Sequence, residues 1–180
     1  MQSRRAIWQS RILDVATVAL LIGAAVLFFD ARANGAQSQV PAAPAALERN
    51  SHVPAVKVME QGGSRAPLLE NAGKAGHLVL FFRTDCPVCA QQRAAWMELA
   101  TQARAAGWVV TGVSTEPLTE AVTQYLGGGS RVVQMDAATA ATLRTSVVPT
   151  TLVAGADGNV LLHHPGLLSL ASTDSITRFF

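Results

Sequence analysis

Cys86-Pro87-Val88-Cys89 is the segment of this sequence whose residue types and spacing can do chemistry. Its two cysteines are the only ones in the 180 residues. Two thiols do not complete a four-ligand zinc site, and a single pair is not a disulfide scaffold, so a redox pair is the leading reading. The apolar run His77–Arg83 (HLVLFFR) just ahead of it reads as a buried strand. Pro87–Ala106, free of internal glycine and proline and rich in Ala, Gln, Leu and Met, reads as a helix ended at Gly107. A thiol at a helix N-terminus meets unpaired N–H groups and the positive end of the macrodipole, which favour the nucleophilic thiolate. Pro87 suits the first turn, where no N–H is needed. Cys86 is therefore expected to attack, and Cys89, one turn in and more sheltered, to resolve. A structural disulfide or half of a metal site is the plain alternative for the same four residues.

Positioning such a pair takes a sheet with helices around it, and the rest of the sequence supplies the pattern. Trp108–Thr115 and Arg131–Met135 read as strands, with a short helix over Pro117–Leu126 stopped by Gly127-Gly128-Gly129. Asp136 can N-cap a helix reaching about Arg144. TTLVAGA and NVLLHH flank Asp157-Gly158, a hairpin signal, and a brief helix from about Thr173 closes the chain. Alternating β and α followed by a hairpin predicts an α/β fold, a mixed sheet with helices on both faces.

Composition and charge point to a membrane at one end. The chain is 49% hydrophobic and 14% charged, against roughly 25% charged in an average soluble protein. From Ser64 onward eight basic residues match eight acids, so the net charge of +2 comes entirely from the N-terminal third. A neutral domain with no basic stripe carries no electrostatic footprint for nucleic acid. Ile12–Phe29 is apolar except for Asp14 and, at ~1.5 Å per residue, just long enough to cross a hydrocarbon core as a helix. Arg4, Arg5 and Arg11 precede it and only Arg32 follows closely, which keeps the N-terminus cytoplasmic and puts the remainder outside. Two readings stand: an uncleaved anchor, or a signal peptide cut at Ala31-Arg32-Ala33. Both deliver the domain to a compartment, the periplasm in a bacterium, where disulfide chemistry is permitted. The expected organisation is a cytoplasmic stub and anchor over 1–30, a flexible Ala/Pro/Gln/Ser-rich tether over 31–60 and one domain over 61–180.

Lys74–Cys89 (KAGHLVLFFRTDCPVC) followed by Val147-Val148-Pro149-Thr150-Thr151 resembles the thioredoxin superfamily, and more narrowly its membrane-anchored TlpA/ResA branch with the related MauD. A G-G-S…L-x-E-x-x-G-K lead-in over Gly62–Lys74, the run Asp136…Pro149…Asp157-Gly158…Gly166 and the N-terminal anchor carry the narrower match. Between Cys89 and Pro149 there is room for an extra βα unit. The resemblance covers about residues 60–180 and implies a thioredoxin-like three-layer α/β/α fold with that insertion before a cis-proline. It makes Cys86 and Cys89 the redox-active disulfide and Pro149 the cis-proline beside it. Val148, Pro149 and Thr150 become the strip that meets substrate, with the Val148 backbone offered to an extended client segment. Gly166 marks a tight backbone after the last strand.

Three departures from that family bear on mechanism. Asp85 stands where many relatives have Trp, and a carboxylate beside Cys86 opposes thiolate formation, whereas Arg83 pulls the other way. Leu80 occupies the position, six before the first cysteine, of the buried proton-relaying Asp of thioredoxins. Glu116 resembles the acid that some TlpA-type proteins hold near the cysteines and is the candidate to help deprotonate Cys89. The segment before the sheet is short, so the additional N-terminal hairpin of some relatives is expected to be missing.

The resemblance implies protein dithiol–disulfide exchange, in the reducing direction, with apocytochrome c or a disulfide-rich periplasmic enzyme as client. Electrons then come from a membrane thiol donor of the DsbD/CcdA kind, because the sequence has no flavin or nicotinamide motif and no cofactor is expected. Two other functions compete with this one. One is a copper or metal chaperone using Cys86 and Cys89 with His163 or His164 as third ligand, although neighbours on a strand face opposite ways. The other is peroxide reduction, for which no proline frames the cysteine upstream. Trp96 and Met97 are expected to be packing residues. Gly127–Ser130 follows a helix instead of opening one and so lacks the geometry of a phosphate cradle.

Overall fold

The structure, a computed structural model, describes residues 46–70 and 75–180. Seven strands form one sheet: β1 (Lys57–Met59), β2 (Arg65–Pro67), β3 (Gly76–Phe82), β4 (Val109–Ser114), β5 (Arg131–Gln134), β6 (Thr150–Gly155) and β7 (Val160–Pro165), in the order β2-β1-β5-β4-β3-β6-β7. β3, β4 and β5 run parallel, and β6, β7 and the β1–β2 hairpin are antiparallel to their neighbours, so the sheet is mixed as expected. The helices are α1 (Pro87–Ala105), α2 (Glu120–Thr123), α3 (Ala137–Thr142) and α4 (Leu170–Thr177).

The period-2 alternation of the strands sorts side chains into two cores. Leu78, Leu80 and Phe82 of β3 face α1 with Trp96, Leu99, Ala100 and Ala103. Val79 and Phe81 face the opposite way with Leu143, Leu152 and Val160. All seven residues of β3 are buried, which explains the unbroken apolar run Leu78–Phe82. Each large aliphatic side chain removed from water in these layers contributes on the order of 1.5–3 kcal/mol. Trp96, fully buried, keeps its indole N–H satisfied by donating to the Thr151 hydroxyl at 2.9 Å.

Several predicted boundaries hold. α1 runs to Ala105 and Gly107 follows with φ +81°. Asp136 caps α3 by accepting from the Thr139 N–H at 2.8 Å. Gly158 turns the β6–β7 hairpin, and β4, α2, β5 and α3 fill the stretch between α1 and Pro149. Other elements differ. The helix expected over Pro117–Leu126 is one turn, because Thr119 caps it from inside that range. α4 begins at Leu170 rather than near Thr173, since Ser169 supplies the cap by accepting from Ser172.

The N-terminal hairpin expected to be missing is present as β1–β2. Gly62 and Gly63, both at positive φ, close it, helped by the Glu60 N–H donating to the Ser64 carbonyl at 2.8 Å. The tether expected through residue 60 also differs over its last part. From Leu47 the chain runs along the outer edge of β7: the Asn50 N–H donates to the Val160 carbonyl, the Val160 N–H to the Ser51 carbonyl and the Val53 N–H to the Gly158 carbonyl, and His52 forms a bridge with Asn159. The segment looks like linker because backbone groups, rather than a periodic apolar face, hold it. The predicted membrane span Ile12–Phe29, the cleavage site, the first half of the tether and the end of the lead-in at Lys74 lie outside the described residues. Among the described residues no helix is long and apolar enough to cross a membrane.

Candidate redox site

β3 carries the chain to its C-terminal end at Phe82, and four residues later Cys86 caps α1. Its backbone is extended (φ −90°, ψ 112°), its carbonyl accepts from the Ala90 N–H at 3.1 Å and Pro87 takes the first helical position. The Cys86 sulfur accepts the Cys89 backbone N–H at 3.2 Å. Negative charge at this sulfur is thus met by a helix N–H and the positive end of a 19-residue helix. Both cysteines are free thiols, Cys86 half-buried and Cys89 buried. Burial, reinforced by the hydrogen bond with Cys86, pushes the Cys89 thiol up to about 12, against a smaller opposing pull from the Arg83 backbone. One thiol is half-exposed and the other lies buried and neutral behind it.

A loop from the far side of the sheet closes on Cys86. The Val148–Pro149 peptide bond is cis, and the Cys86 thiol faces the Val148 carbonyl at 3.9 Å. The Thr150 hydroxyl donates to the Val147 carbonyl at 2.6 Å, and the Gly166 N–H donates to the Pro149 carbonyl at 2.7 Å. Gly166 holds φ +91°, a conformation side-chain-bearing residues rarely adopt, so it sets the backbone that makes this second contact. Thr150 is fully buried and acts on the loop from within, whereas Val148 is half-exposed beside the thiol. Val88, Val147 and Leu167, exposed at 39%, 39% and 45%, are contributed by the three segments that meet here.

Glu116 sits beneath the turn that delivers Cys86, and its partners are not the cysteines. Its carboxylate accepts from the Thr84 N–H at 2.6 Å, the Thr84 hydroxyl at 2.7 Å and the Ser114 hydroxyl at 3.2 Å. It fixes the residue two before Cys86 from the end of β4. Asp85 is taken up by Arg83, which donates Nε to Oδ1 at 2.9 Å and a terminal nitrogen to Oδ2 at 2.6 Å. That hydrogen-bonded pair holds the Asp85 carboxyl below its ordinary range. Leu80 lies in the same apolar cluster as Cys89.

The histidines are not brought to the cysteines. His163 lies opposite Leu152, which lies opposite Val79, so it faces the core away from α1. Its Nδ1 accepts the Leu47 N–H at 2.6 Å, while burial and the nearby Arg144 and His164 push its pKa down to about 4. His164 faces the other way and its Nε2 meets the Leu167 carbonyl at 3.0 Å. Both rings are partly buried. Among the described residues no group of three or more His, Cys, Asp or Glu could hold a metal ion, so the third ligand of the metal-chaperone alternative is absent from the site.

One neighbour of the pair escaped the sequence reading. Tyr125, from the turn after α2, packs on the cluster that contains Cys89 and borders Cys86. No spacing rule points to it; being the single tyrosine in the sequence was the only signal available.

No family model matches this sequence, and no curated protein does. Solved structures do. The thioredoxin domain of a thiol-disulfide oxidoreductase from Bacteroides vulgatus superposes with a TM-score of 0.62 at 18% identity, over 74% of this chain and 99% of that one. A thiol:disulfide interchange protein of the thioredoxin family from Chlorobium tepidum TLS gives 0.56 at 22%, over 74% and 97%. A thiol:disulfide interchange protein from Bacteroides sp. gives 0.58 at 16%, over 73% and 88%. The fold of this chain is the thioredoxin-like fold of thiol:disulfide interchange proteins.

Proposed function

We propose that the chain is an extracytoplasmic protein-disulfide oxidoreductase that reduces client disulfides through Cys86 and Cys89. The observation that carries this reading is the pairing of a helix-capping thiol, open beside the Val148–Pro149 loop, with a buried neutral thiol one turn behind it. Cys86 attacks a client disulfide to form a mixed disulfide, and Cys89 then displaces the client as a dithiol. The apolar rim of Val88, Val147 and Leu167 suits an extended, partly unfolded segment of polypeptide. The apolar run Ile12–Phe29 with arginines ahead of it supports a periplasmic location and a membrane tether. Reduction there draws electrons from a membrane-embedded thiol donor of the DsbD/CcdA kind, and apocytochrome c or a disulfide-rich periplasmic enzyme is the client class.

The test is the equilibrium reduction potential of the Cys86–Cys89 pair in the full chain, read by thiol alkylation. A value near or below about −200 mV fits a reductant or isomerase, and a value near about −120 mV makes the protein a disulfide donor instead. Cys89→Ala should then accumulate mixed disulfides with clients, and Cys86→Ala should not.

A further inference from the structure

Tyr125 packs on the apolar cluster that contains Cys89, with its hydroxyl unspent. Its ring lies flat on Phe82, the last residue of β3, with centroids 4.4 Å apart and planes 7° from parallel. Arg93, one turn beyond Cys89 on α1, clamps it from the other side. The Arg93 Nε donates to the Tyr125 carbonyl at 2.6 Å, and the guanidinium carbon stands 5.3 Å from the ring centre. Among the described residues the phenolic oxygen is buried and has no hydrogen-bond partner. An unbonded buried hydroxyl is a cost to folding that phenylalanine would avoid in the same space.

The other polar groups around the pair are committed. Leu80 is aliphatic, Glu116 is engaged by Thr84 and Ser114, Asp85 by Arg83, Arg93 by the Tyr125 carbonyl, and the Gln92 side chain accepts from the Leu168 N–H. Among the described residues the Tyr125 hydroxyl is the buried side-chain donor of this cluster that has no partner.

Resting on the exchange reaction proposed above, we infer that the Tyr125 hydroxyl turns to donate to the Cys89 sulfur as that sulfur takes on charge, and so promotes the resolving step. In the mixed disulfide the client sulfur is bonded to Cys86. The Cys89 thiol gives its proton to solvent, its sulfur bonds to that of Cys86, and the bond from Cys86 to the client breaks. The client sulfur leaves as a thiolate and takes up a proton from solvent. The client disulfide has then gained two electrons and the Cys86–Cys89 pair has lost two. Charge resides on Cys89 only during this step, so the donor has nothing to meet in the resting dithiol, and a hydrogen bond made only then lowers the barrier. Burial, with the neighbouring thiol charge, pushes the phenol up to about 12, alongside Cys89. At neutral pH it is therefore a donor and not a base.

The experiment compares wild-type full chain with Tyr125→Phe, both reduced, reacting with the aryl disulfide of nitrothiobenzoate under stopped flow. The first coloured thiol is released when Cys86 attacks, the second when Cys89 resolves. Tyr125→Phe should slow the second release by about tenfold or more, the scale of a hydrogen bond to a charged group, and leave the first within about twofold. The thermal midpoint should be unchanged or raised, which a merely structural role of the hydroxyl does not predict. An unchanged second release, or equal slowing of both, overturns the inference while leaving the redox reading intact. If the wild type never makes the second release, the redox reading itself falls and takes this inference with it.

Discussion

Arg83 and Asp85 join in a two-contact ion pair at the mouth of the site, 2.9 and 2.6 Å across its two hydrogen bonds, with Thr84 between them. The carboxylate next to Cys86 therefore arrives with its counter-charge. From the sequence, Asp85 alone was expected to oppose the Cys86 thiolate, and the pairing offsets that opposition. Both side chains are well exposed, at 47% and 61%, so salt screens what remains.

Asp85→Asn should change the rate at which Cys86 is alkylated by less than about twofold, because it removes a charge already matched. Arg83→Gln should slow it by about threefold or more at low salt, since it leaves the carboxylate unmatched, and the deficit should shrink on adding salt. Equal effects of the two substitutions would mean that the pair does not act as a unit.

The buried Cys89 thiol makes resolution strongly dependent on pH. Below a pKa of about 12 the thiolate fraction grows tenfold for each pH unit, so the resolution rate should climb with that slope from pH 6 to 9. A plateau beginning near neutrality, seen in the decay of a pre-formed mixed disulfide, would contradict the burial argument.

His163 should make the fold acid-sensitive in a defined window. Its folded pKa is about 4, below the unfolded value near 6.5, so the unfolded chain takes up the proton first as pH falls. Its contribution is complete above about pH 6.5 and is lost on the way down to about pH 4, amounting to ~2 kcal/mol once its partial exposure is allowed for. Urea midpoints measured from pH 7 to 4 should fall less steeply in His163→Asn, whose amide oxygen can still accept from Leu47. Parallel curves for the two proteins would exclude this histidine as the source.

Thr151→Val removes the partner of the buried Trp96 indole N–H and nearly conserves volume. Stability should drop by about 1–3 kcal/mol, the penalty for stranding a buried donor, with denaturant slope unchanged. A neutral result would mean that the indole finds another acceptor.

What the sequence discloses and what it conceals divide along physical lines. The apolar β3, the Gly107 stop, the Asp136 cap and the Asp157-Gly158 turn are local signals, and each sits where its chemistry puts it. The cysteines were legible for the same reason: a strand, a proline at the first helical position and a fixed spacing lie within a dozen residues. β1 and β2 were not, because strands of three residues show no period. The chemistry of Glu116 and Tyr125 depends on contacts from thirty residues away, made only when β4 and the turn after α2 fold beside β3. The Arg83–Asp85 pairing forms across the turn at Thr84 and Asp85, where neither strand nor helix period applies.

Residues 47–53, laid along the outer rim of β7, act as a selvedge on the sheet. Without them the Val160 N–H and carbonyl and the Gly158 carbonyl, which meet Ser51, Asn50 and Val53, would stand open to any passing strand. If the chain exchanges disulfides as proposed, free backbone groups there would hold by strand pairing what the thiols are meant to engage and release. The pairing closes this stretch of the β7 rim, and β2 forms the opposite edge of the sheet.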